Sequence, residues 1–248
     1  MKSNSTIAVA VLVCAGLTGT TACGGSSGSS DGDEKKPFAG QSADAVADKA
    51  SRATKAARSV RMVGTVEEQG QPVEIDVRAD TKDACTGTMS GQGTTAEIIE
   101  TAGKKYVRGN EAFWAASLKG QQGAEKVIAQ LEGKWVKTPT SDASMQDICD
   151  KQAFLAALDK DKSERQGMRK SGTATVGGKE AIVLKKKDGA ETFTLYVATE
   201  GKPYLLKFAT TGGKNPGSMT FSDYDKPVEA TAPPAGRTVD PKKLAPAG

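Results

Sequence analysis

Cysteine and carboxylate side chains are the groups of this 248-residue chain that could do chemistry, because the chain has no histidine. Without an imidazole, Ser-His-Asp and Cys-His arrangements are excluded, and so is a zinc site of the ordinary type. The four cysteines are Cys14, Cys23, Cys85 and Cys149, and none has the Cys-x-x-Cys spacing typical of a metal site. We therefore expect no metal and no other cofactor.

The carboxylate pairs do not indicate an active site. Glu67-Glu68 and Asp147 with Asp150 lie in polar stretches, and nothing in the sequence predicts the burial that a general acid requires. A literal G-x-S-x-G match at Gly24–Gly28 lies in low-complexity sequence, whereas a nucleophile elbow needs a strand before the serine and a helix after it. No phosphate-binding loop or dinucleotide fingerprint is present. The sequence therefore predicts a protein that is not an enzyme.

The charge of the chain is balanced, with 34 basic and 30 acidic residues and a net charge of +4. This balance argues against a nucleic-acid partner, which would need a concentrated basic face. The most basic run, Lys185–Lys187, is interpreted as the solvated end of a strand. Contact with anionic lipid head groups is the alternative.

Residues 1–22 have the three parts of a signal peptide. Lys2 is the only charged residue among the first 30, and an apolar run extends from Ile7 to Leu17. That run is shorter than the roughly 20 apolar residues that span a bilayer. Small residues follow at positions 18–22, as a signal peptidase requires, so we expect an exported protein.

The segment Thr20–Gly24 resembles a bacterial lipobox. In that family the cysteine, here Cys23, receives a diacylglyceryl group and becomes the mature N-terminus. This implies a protein anchored on the extracytoplasmic face of the cell membrane, since stable anchoring takes about two acyl chains. Thr20 departs from the leucine that the family usually has there. A plain secreted protein cut nearby is the alternative, and Cys14 is a less suitable acceptor because the bulky Val13 precedes it.

Residues 23–41 are predicted to be a lipidated N-terminus followed by a flexible Gly/Ser-rich linker. If Cys14 leaves with the signal peptide and Cys23 carries lipid, Cys85 and Cys149 remain as a pair. An even pair in an oxidising compartment favours a disulfide. Two free buried thiols are the alternative.

The periodicity of apolar residues predicts a helix at Ser42–Ser59, with Ser42 as its N-cap and an alanine-rich buried face. Alternation with a period of two then predicts a hairpin between Val60 and Ala79. Three more strands are expected at Cys85–Ser90, Ala96–Thr101 and Lys104–Arg108. Short helices follow at Glu111–Leu118, Ala124–Leu131, Ala143–Cys149 and Gln152–Leu158, with an extended piece at Trp135–Lys137. Strands return at Thr173–Val176, Ala181–Lys186, Thr192–Ala198, Tyr204–Thr210 and Ser218–Tyr224.

Consecutive strands on short turns form an antiparallel meander, and about ten of them must curl or close. Helices that cover one face bury it. The predicted fold class is α+β, with a strongly curved antiparallel half-barrel and helices packed on its concave face. We expect this domain at residues 42–233, followed by a Pro/Ala/Gly-rich tail at 234–248 in which Val239–Leu244 can pack locally.

Several motifs resemble the mycobacterial LppX, LprA, LprF and LprG lipoproteins, whose half-barrel is shared with the LolA and LolB carriers. They are Gly103–Arg108 running on to Trp114, Gly133–Val136, Leu195–Val197 leading to Pro203–Leu206, and Phe221–Tyr224 before Val228 and Pro233. In that family, a cavity between sheet and helices holds acyl chains of lipids or lipoglycans. The resemblance therefore implies a membrane-anchored protein that binds, and can transfer, a lipid or other apolar ligand.

Twelve apolar positions are candidates for the cavity lining, although ordinary core packing is the alternative for each one. They are Ile75, Val77, Ile98, Phe193, Leu195, Val197, Leu206 and Phe208 on strands, and Phe113, Trp114, Ile128 and Leu131 on helices. We expect a monomer. The alternative function is a cell-envelope interaction or sensor module without a ligand cavity.

Overall fold

One twelve-stranded sheet and the helices on its concave face make up the described part of the chain. A computed structural model describes residues 38–68, 70–138, 146–157, 165–213, 216–241 and 244. The predicted signal peptide, Cys23, most of the linker, the helix start at Ala143 and the helix end at Leu158 lie outside these residues.

The elements follow the predicted order of helix, five strands, helical middle and five strands, with one further short strand in the tail. The helices are α1 (Ala43–Ala56), α2 (Glu111–Ser117), α3 (Ala124–Leu131), α4 (Gln146–Cys149) and α5 (Lys151–Ala157). The first strands are β1 (Ser59–Glu68), β2 (Gln71–Asp80), β3 (Cys85–Gly91), β4 (Thr94–Thr101), β5 (Lys104–Gly109) and β6 (Trp135–Thr138). The others are β7 (Arg169–Val176), β8 (Lys179–Asp188), β9 (Glu191–Ala198), β10 (Leu205–Thr211), β11 (Gly217–Ser222) and β12 (Thr238–Val239).

The strand order is β12-β6-β5-β4-β3-β2-β1-β11-β10-β9-β8-β7. Two meanders, one on each side of the helical middle, join where β1 pairs with β11, with Met62 opposite Phe221. The predicted α+β half-barrel is confirmed, and it has twelve strands where about ten were expected.

Helix α1 begins where the sequence predicts. The Ser42 side chain accepts a hydrogen bond from the backbone N–H of Ala45 at 3.1 Å, which satisfies one donor of the first turn. The buried face consists of Ala43, Val46, Ala47, Ala50 and Thr54. Because these side chains are small, the helix lies close against β9 and β10.

Three apolar clusters lie on the concave face. The central cluster joins β1–β4 to α4 and α5 and contains Met62, Val77 and Phe221. A second cluster lies between α1 and strands β8 and β9. A third, around Trp114 and Leu131, lies between α2, α3 and strands β4–β6.

The convex face carries cross-strand ion pairs. Arg61 donates two hydrogen bonds to Asp76, at 2.9 and 2.6 Å, and Arg108 donates to Glu97 at 2.7 Å while its guanidinium lies 4.7 Å from the Trp135 ring centroid. The hydrogen bond from Arg61 is the main reason why the pKa of Asp76 is lowered. These pairs place charged side chains on the outside of the half-barrel.

Part of the predicted tail belongs to the sheet. Thr238 and Val239 form β12, which pairs parallel with Trp135 and Val136 of β6. Val239 and Leu244 pack against the third cluster, as the sequence suggested for this stretch. The tail thereby covers one edge of the sheet, which would otherwise expose unpaired backbone groups.

Candidate functional site

A depression with mostly apolar walls lies between the sheet and two of its helices, and we call it the hollow. Strands β9 and β10 supply one wall, α1 and α5 supply the other, and two residues that precede β7 complete the lining. The apolar lining residues are Ala47, Ala50, Leu155, Met168, Phe193, Leu195, Leu205 and Phe208, and the polar ones are Ser51, Thr54, Lys55 and Arg165.

The hollow is small, with a free volume of about 50 Å³. Pockets for drug-sized ligands usually measure roughly 300–1,000 Å³. A second depression of about 330 Å³, which we call the polar groove, shares Ser51, Lys55 and Arg165 with it. The rest of the groove is lined by Asp44, Asp48, Arg52 and Gln166. An apolar volume therefore adjoins a larger polar one.

A change of register in β10 determines which leucine faces the hollow. Leu205 is opposite Val197, but Lys207 is opposite Tyr196, so Leu206 is the extra residue of a bulge. Leu205 and Phe208 line the hollow, whereas Leu206 packs against Ala181 and Ala198 in a fourth cluster, on the convex face. The prediction that Leu206 lines the cavity is wrong, because the bulge breaks the alternation on which it depended.

Both backbone polar groups of Leu205 have side-chain partners. Its N–H donates to Thr54 Oγ1 of α1 at 3.0 Å, and its carbonyl accepts from the Tyr224 hydroxyl at 2.5 Å. Burial raises the pKa of Tyr224, so this phenol stays protonated and can donate. Helix α1 and the turn after β11 thus fix the start of β10 beside the hollow.

A second set of contacts holds Tyr224 in place. The Tyr204 ring stacks on it with centroids 4.0 Å apart, and the Tyr204 hydroxyl donates to Asp225 at 2.7 Å. Asp225 also accepts from the Arg58 backbone N–H at 2.8 Å and from Lys202 Nζ at 3.0 Å. These hydrogen bonds, with Tyr204 the strongest contributor, hold the pKa of Asp225 well below its usual range.

Two attachments hold α4 and α5 beside the hollow. The predicted disulfide between Cys85 of β3 and Cys149 of α4 is present, with Cα atoms 5.6 Å apart. Lys151, which is 1% exposed, donates from Nζ to the carbonyls of Lys55 at 3.0 Å and Ala57 at 2.7 Å, at the end of α1. Burial lowers the pKa of Lys151. Leu155, on α5, is positioned by both attachments.

The segment that precedes β7 is attached to the first half of α1. Asp44 accepts from the backbone N–H groups of Gly167 at 3.0 Å and Met168 at 2.9 Å. Arg165 donates from Nη1 to Ser51 Oγ at 3.3 Å, and its Nε lies 3.6 Å from Asp48 Oδ1. Met168 and Arg165 are thereby held at the border between the hollow and the polar groove.

The structure brings together three of the twelve predicted cavity residues, Phe193, Leu195 and Phe208. The remaining strand positions other than Leu206 point to the concave face but belong to packed clusters: Ile75, Val77 and Ile98 to the central cluster, and Val197 to the second. The helical positions Phe113, Trp114, Ile128 and Leu131 belong to the third cluster, away from the hollow.

Sequence reasoning missed the helical wall of the hollow. Ala47 and Ala50 carry too little apolar surface to stand out in the sequence, and Leu155 was assigned only to a short helix. The narrow alanine face of α1 was the available signal: although the helix lies close to the sheet, side chains this short do not fill all of the space that the neighbouring side chains leave. Arg165 and Met168 lie outside any periodic pattern.

Neither metal binding nor a membrane-spanning helix is found within the described ranges. The described residues contain no group of three Cys, Asp or Glu side chains that could hold a metal ion. None of the described helices has both the length and the apolar character that crossing a bilayer requires.

Comparison with known proteins shows similarity in fold. No protein-family model matches the chain, and no curated protein matches it. The Mycobacterium tuberculosis lipoprotein LppX superposes with a TM-score of 0.50 at 15% identity, over 76% of this chain and 97% of that one. LprF from Mycobacterium bovis superposes with a TM-score of 0.50 at 16% identity, over 77% and 96% of the respective chains. The predicted resemblance is confirmed at the level of the fold.

Proposed function

Taking the fold of LppX and LprF as the premise, we propose that this protein is a lipid-anchored extracytoplasmic protein that binds an acyl chain in the hollow. The observation that carries the proposal is the hollow itself. Eight of its twelve lining residues are apolar, and they lie between a sheet and helices. Burial of apolar surface stabilises such a complex by about 25 cal/mol per Å² removed from water.

The size of the hollow limits how a chain can bind. A volume of about 50 Å³ accommodates only a few methylene groups with the side chains as placed. A longer chain displaces side chains that are only partly buried, such as Phe193 and Phe208. The attachments of α4 through Cys149 and of α5 through Lys151 keep the opposite wall in place during such a movement.

The lipid anchor on Cys23 is supported by the signal-peptide pattern, the lipobox-like segment and the Gly/Ser-rich linker. An anchored domain on a linker of this kind stays near the membrane and can reorient, because such sequences behave as flexible coils. The protein would thus meet lipids or lipoglycans in the envelope.

The Cys23→Ala variant should abolish incorporation of radiolabelled palmitate in cells and release the protein from the membrane fraction. The control Cys14→Ala should keep both the label and the membrane location, because Cys14 is expected to leave with the signal peptide. Labelling that persists in Cys23→Ala and is lost in Cys14→Ala would contradict the proposal, because it would show that Cys14 carries the lipid.

Variants that fill or enlarge the hollow should change the affinity for decanol in opposite directions. Ala50→Phe places a ring in the free space and should weaken binding at least about tenfold, equivalent to about 1.4 kcal/mol. Phe208→Ala leaves a larger apolar cavity and should strengthen binding by a similar factor. Binding is measured by native mass spectrometry and by displacement of a fluorescent apolar probe.

The matched control for these variants is Ile128→Ala. Ile128 is a partly buried apolar residue of the third cluster, so truncating its side chain lowers stability but leaves the lining of the hollow unchanged. Its affinity for decanol should equal that of the unaltered protein, and circular dichroism verifies that each variant folds. An Ile128→Ala variant that loses binding while Ala50→Phe keeps it would place the ligand elsewhere.

The small volume of the hollow also supports a second candidate, an envelope interaction module whose core is filled by its own side chains. The described surface offers this candidate little apolar area, since Val63 is the single large hydrophobic residue there that counts as exposed, at 36%. If decanol bound neither the unaltered protein nor Phe208→Ala, that result would favour this alternative.

A further inference from the structure

We propose that the ligand of the hollow is a single-chain amphiphile with an anionic head group, and that Arg165 and Lys55 bind that head group. The inference rests on the proposed function and adds the chemical class of the ligand. It depends on the charge at the border between the hollow and the polar groove, and on the polarity of the groove walls.

The charged residues that line the hollow are both cations. Lys55 and Arg165 lie among its twelve lining residues, whereas Asp44 and Asp48 line only the adjoining polar groove. Asp44 already accepts two backbone N–H groups, from Gly167 and Met168. A head group at the border therefore meets positive charge first, next to apolar walls that strengthen electrostatic interactions by lowering the local dielectric constant.

Arg165 has the chemistry to bind a carboxylate, phosphate or sulfate. Its side chain is 15% exposed, and a guanidinium has five N–H donors in a planar fork that matches such anions. One carboxylate near it, Asp48, is 54% exposed, and Asp48 Oδ1 lies 3.6 Å from Arg165 Nε in the polar groove. The head group of a ligand can take the place of Asp48, so Asp48 acts as a built-in competitor.

The walls of the groove limit the ligand to one chain. Beyond the hollow, the neighbouring volume of about 330 Å³ is lined by charged and polar residues, among them Arg52 and Gln166. A second acyl chain placed there would be in contact with polar groups without gaining apolar contacts. The groove thus suits a hydrated head group, while the hollow takes the tail.

The test compares three probes with the same chain, namely decanoate, decanol and decyltrimethylammonium, bound to the mature full-length protein near neutral pH. Decanoate should bind about tenfold more tightly than decanol, and the cation should bind more weakly than decanol. Equal affinities for decanoate and decanol would overturn the inference about the head group but leave the proposed function intact. Failure of all three probes to bind would overturn both.

Substitutions at the border between the hollow and the polar groove test which side chains bind the head group. Arg165→Gln should reduce decanoate binding about tenfold and leave decanol binding unchanged, while Asp48→Asn should strengthen decanoate binding several-fold because the competitor is gone. Arg165→Lys, which keeps the charge but loses the fork, should fall in between. The control is Lys49→Gln, since Lys49 is an exposed cation of the same helix that lines neither the hollow nor the groove, and its effect should stay within about twofold. Loss of decanol and decanoate binding alike in Arg165→Gln would contradict a role in head-group recognition.

Discussion

Replacing Cys85 and Cys149 together by alanine should lower the free energy of unfolding by about 4 kcal/mol. The two cysteines are 64 residues apart in sequence, so the disulfide closes a long loop and removes many conformations from the unfolded chain. For a domain of this size, the loss corresponds to a decrease of roughly 10 °C in the melting temperature. Urea titration followed by tryptophan fluorescence measures the change in the free energy of unfolding.

The unaltered protein in reducing buffer is the control for this experiment. Reduction should produce nearly the same loss, because both treatments release α4 from β3 without altering the rest of the core. The double variant itself should be insensitive to the reductant. A decrease smaller than about 1 kcal/mol would mean that the disulfide adds little constraint to the unfolded chain.

Substituting Lys151 by methionine should lower the free energy of unfolding by about 2 kcal/mol. The Lys151 ammonium group donates to the carbonyls of Lys55 and Ala57, and carbonyls at the end of a helix have no partner within the helix. Methionine keeps the apolar part of the side chain but leaves the Ala57 carbonyl without this donor, at about 1–3 kcal/mol. The Lys55 carbonyl still accepts from Gln152 Nε2 at 3.3 Å, so it loses less. Part of that loss is offset, because the variant no longer buries an ammonium group and so avoids the cost of desolvating it.

Lys49→Met provides the comparison for Lys151→Met. Lys49 is an exposed residue of α1, and substitutions at such positions usually change stability by less than about 0.5 kcal/mol. Equal unfolding midpoints for the two variants would show that Lys151 does not stabilise the end of α1. Because α5 supplies Leu155 to the hollow, Lys151→Met should also weaken decanol binding.

The features of the fold that follow from local rules were predictable. The N-cap at Ser42, the hairpin of β1 and β2 and the strands β3–β5 follow from capping, period-two alternation and turn-forming residues. At the turns, Gln92-Gly93 and Ala102-Gly103 have positive φ at both positions, as the type I′ hairpin turn requires. The pairing of Cys85 with Cys149 followed from a count of cysteines and an expected compartment.

The residues that face the hollow were harder to predict, because that depends on long-range packing. The bulge at Leu206 shifts the alternation in β10, and the residue type at that position does not predict a bulge. The separation of Ile98 from Trp114 into different clusters follows from where each helix lies on a twelve-stranded sheet. Hydrophobic periodicity predicts which side chains are buried but not which of them surround unfilled space.

Membership of β12 in the sheet is another long-range property. Thr238 and Val239 pair with β6, which lies about a hundred positions earlier in the chain. Two residues give too short a pattern for an alternation signal, and the surrounding prolines favour extended conformations of many kinds. Packing of Val239 and Leu244 on the third cluster supplies the stabilisation that the strand itself lacks.

Photolabelling with a decanoic acid that carries a diazirine at the end of its chain tests the proposed ligand site most directly. Adducts mapped by mass spectrometry should lie in α1, α5, β9 and β10, and excess decanoate should abolish them. The same treatment should leave α2 and α3 unlabelled, although they contain Phe113, Trp114 and Ile128. Adducts concentrated on α2 and α3, or spread over exposed surfaces regardless of competitor, would contradict an acyl-chain site in the hollow.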